Sequence, residues 1–144
     1  MNFDIDQLAS STETTYNVDV GRNPDKPDGT PGDVVGFTVL GPSSKAFLAV
    51  ERDIQVLNVR EAEKRKGVPL DLSTEEGATS IVDGQDRRKL MIVKRCVVGW
   101  YGFMRGSEPA PFTLENLGTV LASRPHWVKR ITDAIDNQSN FDGG

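Results

Sequence analysis

Leu90-Met91-Ile92-Val93-Lys94-Arg95-Cys96-Val97-Val98-Gly99-Trp100 carries a broad apolar face, and its period decides the fold. Leu90, Val93, Val97 and Trp100 fall on one helical stripe, and Ile92 and Cys96 widen it. A face this wide predicts a helix packed on several sides, the central one of the fold. Upstream, Ser73-Thr74-Glu75-Glu76 reads as a capping box opening the same helix. Gly77 and Gly84 weaken its first half by about 1 kcal/mol each relative to alanine.

The preceding segment predicts another helix. Ser43 or Ser44 caps it after Pro42, and Phe47, Val50, Ile54 and Leu57 share one face. Its tail, Arg60-Glu61-Ala62-Glu63-Lys64-Arg65-Lys66, carries cations where the helix dipole favours them. Gly67 stops the helix near Lys66 and Pro69 follows. Nearer the N-terminus the period falls to two. Tyr16, Val18 and Val20 share one face of a strand over 14–20, and Val35, Phe37 and Val39 one face of a strand over 34–40. Between them, Asn23-Pro24-Asp25, Pro27-Asp28-Gly29 and Pro31-Gly32 make a long turn. The strands pair as a hairpin, which is marginal alone in water and must lie on helices or on another subunit. Residues 1–13, polar and rich in Ser and Thr, read as a flexible arm.

Beyond the central helix, Thr113 caps a short helix over 114–122. Pro125 suits the first turn of a last helix, whose Trp127, Val128, Ile131 and Ile135 face inward. Phe141 closes it, and 142–144 form a tail. The expected fold is α+β and mainly helical. An N-terminal β-hairpin (14–41) precedes about four α-helices (42–141), within a single domain over 14–141.

At 144 residues the chain can bury roughly 68–70% of its unfolded surface, enough for a core. A net charge of −4 argues against nucleic acid as the main partner, because phosphate binding needs clustered Lys and Arg. The basic runs at 60–66, 87–89 and 94–95 read as solvated helix faces. No apolar stretch approaches the roughly 18 residues of a membrane span. The single cysteine, Cys96, cannot form an internal disulfide and reads as a buried small hydrophobe. A reducing cytosol fits that usage, and the acidic start lacks a signal-peptide core.

Signatures of chemistry are sparse. His126 is the only histidine, and its place between Pro125 and Trp127 suits a helix start better than a triad. A zinc site needs several Cys or His at fixed spacing, and this chain has one of each. Asp4 and Asp6 resemble the opening of a calcium loop, but the required glycine and glutamate do not follow. No phosphate-binding glycine motif occurs in 99–106. The carboxylate pairs Glu75/Glu76, Asp133/Asp136 and Glu61/Glu63 lack the apolar neighbours that raise a pKa for acid–base work. The expectation is no enzyme, with no catalytic residue, cofactor or metal.

The aromatics remain. Trp100, Tyr101, Phe103, Phe112 and Trp127 are five of the ten aromatic residues, gathered where the last helices meet. They either form the core there or present the loop 102–111, stiffened by Pro109 and Pro111, to a protein partner; both can hold at once. Tyr101, Phe103 and Phe112 are assigned to the partner-facing side, and Trp100 and Trp127 to the core.

The same block resembles a known family. Gly99-Trp100, Gly106-Ser107-Glu108, Pro111-Phe112-Thr113-Leu114-Glu115-Asn116, Pro125-His126-Trp127-Val128 and Asn140-Phe141 are similar to the pattern of the tail assembly chaperones of long-tailed bacteriophages. The resemblance is specific over about 95–141 and architectural before it. Tyr101 and the long turn over 22–33 depart from the family pattern. The resemblance implies a chaperone that binds and solubilises the tape measure protein, recruits tail tube subunits and acts in the host cytoplasm. It also implies, for many members, a second form made by ribosomal frameshift. A homo-oligomer joined through the hairpin edges is a further expectation. The rival expectation is a structural virion protein of the tail or head–tail connector.

Overall fold

The computed structural model describes residues 4–6, 11–66 and 68–142. The arm expected over 1–13 lies largely outside the described residues, as do residues 143–144 of the tail. Where the chain enters the domain, the Glu13 carboxylate accepts the Lys45 backbone N–H at 3.0 Å.

Strands β1 (Thr15–Arg22) and β2 (Val34–Leu40) form the antiparallel hairpin. Val18 stands opposite Phe37, with both side chains buried. A bulge between Asp19 and Gly21 carries the register past Val20. The connecting turn is closed by the Asn23 N–H on the Asp33 carbonyl at 2.9 Å. Within it, Asp28 accepts from both the backbone and the hydroxyl of Thr30.

Helix α1 (Lys45–Lys64) begins at Ser44, whose fully buried hydroxyl accepts the Phe47 N–H and donates to the Gly41 carbonyl. Helix α2 (Glu75–Cys96) begins at Thr74, which accepts the Gly77 N–H. The capping box expected from Ser73 to Glu76 does not form: the N-cap falls one residue later, with Gly77 at N3, and the Ser73 hydroxyl is taken by Asp71 at 2.6 Å. Asp53 bonds Arg95 and Glu61 bonds Arg87, so the two helices run antiparallel. Arg88 reaches Glu51 at 2.5 Å between them. Part of the basic run at 87–89 is therefore an inter-helix clamp and not merely a solvated face. Lys66, at φ 53°, is a left-handed residue at the end of α1, and Gly67, expected to stop the helix, lies outside the described residues.

The largest departure from the sequence reading is at the end of α2. The helix stops at Cys96, and Val97–Tyr101 continues without a loop as strand β3. β3 pairs antiparallel with β2, giving a sheet of order β1-β2-β3. Val97 and Trp100 thus leave the helical stripe and stand opposite Val39 and Phe37. The physical reason is long-range. Val97-Val98-Gly99 is β-branched and flexible, and the open edge of β2 supplies the hydrogen bonds that a further helical turn would have made. A second hairpin, β4 (Met104–Arg105) and β5 (Glu108–Pro109), lies within the stretch 102–111 read as a loop.

Helices α3 (Leu114–Ser123) and α4 (Pro125–Asp136) complete the domain. Thr113 caps α3 through the Asn116 N–H, and Pro125 opens α4. The fold is α+β, a β-hairpin followed by four helices. α4 lies across β1 and β2 and against α2. Ile131 and Ile135 of α4, Ile92 and Val93 of α2, and Phe37 and Val39 of the sheet form the sealed centre. Phe141 is buried over Gly41, where a Cβ would overlap its ring. No described helix is long and apolar enough to cross a membrane.

Candidate partner-binding surfaces

The aromatic block is brought together by β3 and the loop that follows. Phe103 sits 4.6 Å from Trp100 and 5.1 Å from Phe37 between ring centroids, and Trp127 closes the group at 6.1 Å from both phenylalanines. Phe112 meets Trp100 edge-on at 5.4 Å. The contacts of Trp127 with both phenylalanines and of Phe112 with Trp100 are the edge-to-face arrangements that ring quadrupoles favour, and the other two are tilted. The Trp100 indole N–H donates to the Ala110 carbonyl at 3.0 Å, and the Ala110 N–H donates to the Phe103 carbonyl at 2.8 Å. Gly102 and Gly106, at φ 82° and 65°, make the turns that fold the loop back over the rings.

Each aromatic named from sequence now has a place. Trp100 and Trp127 are partly buried against the core. Phe103 and Phe112 are likewise partly buried and packed on the same core. Tyr101 lies on the other face of β3, where its hydroxyl donates to Asp19 of β1 at 2.5 Å across Gly36. Burial, and then this bond to a carboxylate, pushes the phenol well above its ordinary value. Each of the three assigned residues therefore has packing or hydrogen bonding within the domain.

Elsewhere, burial pushes the Cys96 thiol up to about 12, so it is a protonated core group at neutral pH. His126 is exposed at the start of α4. Among the described residues, no three His, Cys, Asp or Glu side chains gather as a metal site.

Several of the apolar groups left uncovered lie on the α1–α2 hairpin, and others, such as Val98 and Leu114, lie elsewhere. Val59 is 66% exposed on α1 and Val82 is 53% exposed on α2, with Val56 and Ile81 also open. Periodicity held the signal: Val56 and Val59 fall off the Phe47–Leu57 stripe, so they point away from the buried face. A second feature has no local sequence signature. α2, α3 and α4 border an open groove of about 550 Å³, floored by Leu90, Leu121 and Val128 and edged by Lys89, Lys94 and Lys129. Comparison with protein-family models, curated proteins and solved structures gives no match.

Proposed function

We propose that the chain is a bacteriophage tail assembly chaperone, which binds and solubilises the tape measure protein and helps recruit tail tube subunits in the host cytoplasm. The observation that carries this reading is the set of uncovered apolar side chains on a long helical hairpin: Val56 and Val59 on α1, and Ile81 and Val82 on α2. A small acidic domain with such exposed apolar groups can shield apolar helices of a client while staying dissolved itself. Weak contacts repeated along one long client gain strength through multivalency. The sequence pattern over about 95–141 supplies the family resemblance. Tyr101, Phe103 and Phe112 are proposed as secondary contacts through their partly exposed edges.

Co-expression with the longest helical reading frame of the same phage genome, followed by pull-down, tests the reading. Soluble co-purification supports it. A client that stays insoluble while this chain remains alone in solution overturns it. One observation favours the rival, a permanent virion component: β1 and β3 are both edge strands of the sheet, suited to pairing between subunits. Mass spectrometry of purified virions separates the two, since a chaperone is absent from finished particles.

A further inference from the structure

We propose that the groove between α2 and the α3–α4 pair docks an acidic amphipathic helix of a protein partner. Docking here does not depend on the tail-assembly reading and would stand if the client proved to be another protein.

Shape comes first. Val82, Asp86, Leu90 and Lys94 are spaced four apart along α2, so they form one ridge of that helix. The part of the ridge that lines the groove, from Asp86 to Lys94, runs about 12 Å, room for roughly two turns of a partner helix. Leu121 and Val128 line the opposite wall, from α3 and α4. The groove is open along its length and apolar at its floor, the form that receives one face of an amphipathic helix.

Charge then selects the occupant. Three lysines edge this groove in a chain of net charge −4. Lys129 is held by Asp133 at 2.7 Å. Lys89 and Lys94 take part in none of the ion pairs among the described residues, although every arginine that α2 turns toward α1 is paired. Two uncommitted cations beside an apolar floor favour a partner whose polar face is acidic. A bare polyanion would leave the floor uncovered. The one acid of the lining, Asp86, stands at the α2 N-terminal side of the groove. It favours the positive N-terminal end of the partner helix there, so the partner runs parallel to α2.

The test uses the full chain and two fluorescein-labelled peptides of about fifteen residues, long enough for the ridge. Both carry leucine at helical spacing; one carries glutamate on its polar face and the other lysine. Anisotropy should show the acidic peptide binding at least about tenfold more tightly, a preference that shrinks with salt. Lys89→Glu with Lys94→Glu should reverse the order of the two peptides. If that variant does not fold by circular dichroism, Lys89→Gln with Lys94→Gln should abolish the preference instead. Leu90→Ala should weaken the acidic peptide by about tenfold, whereas Leu114→Ala, an exposed leucine outside the groove, should not. Equal affinity for both peptides, or a preference unchanged by the lysine variants, overturns the proposal. So does a single-stranded oligonucleotide that binds as tightly as the acidic peptide, which would make the site a polyanion contact.

Discussion

Replacing Phe103 with alanine separates a structural ring from a docking ring. Phe103 touches Phe37, Trp100 and Trp127, with centroid distances of 5.1, 4.6 and 6.1 Å. Truncating a fully buried phenylalanine costs about 3–5 kcal/mol. Phe103 keeps part of its ring in solvent, which lowers the transfer and cavity contributions. Three lost aromatic contacts restore part of that, at about 0.5–1.5 kcal/mol for each well-formed pair. The expected loss is about 2–3 kcal/mol. In a chain of this size each kcal/mol moves the melting midpoint by about 2–4 °C, so the shift should be near 4–12 °C. Urea unfolding followed by tryptophan emission is the assay. Trp100 and Trp127 both border the removed ring, so the folded-state emission should itself change. A loss below about 0.5 kcal/mol with unchanged emission would refute the packing account and return Phe103 to the free surface.

Three further outcomes follow from particular contacts. Gly36→Ala should cost at least about 2 kcal/mol in urea unfolding, because its Cβ would overlap the Val18 carbonyl oxygen and the Tyr101 hydroxyl. Ser44→Ala should cost about 1–2 kcal/mol, since it removes a buried N-cap and leaves the Phe47 N–H unpaired; a loss within error would show that the cap contributes nothing. Cys96 ties stability to alkaline pH. Its folded thiol titrates near 12 against 9.0 for an exposed one, so the unfolded chain loses the proton first. Stability should therefore be undiminished below pH 9 and fall as pH rises toward 12, and the slope of the melting midpoint over that window should flatten in Cys96→Ala.

Much of the architecture is legible without coordinates. The strand of residues 34–40 follows from alternation, because Val35, Phe37 and Val39 need one buried face whatever packs on them. Ser44 and Thr113 mark helix starts by offering a side-chain oxygen to a backbone N–H three residues on, and Pro125 marks another by its fixed φ. The burial of Cys96, Ile131 and Ile135 follows from helical spacing alone. The candidate surfaces were only half legible. Val56 and Val59 show as apolar residues off the buried stripe, but nothing local says whether another helix covers them.

By itself the sequence determined the local elements: the hairpin strands, the helix starts and the apolar faces of four helices. These rest on interactions within a few residues, which any stretch of chain carries with it. Tertiary structure alone decided the fate of 97–101. Val97-Val98-Gly99-Trp100 satisfies a helical stripe as well as a strand, and the choice fell to the edge of β2, some sixty residues earlier in the chain, whose backbone groups needed partners. That pairing carries Trp100 and Phe103 onto Phe37, ties Tyr101 to Asp19, and leaves α2 free along the side where the lysine-edged groove opens.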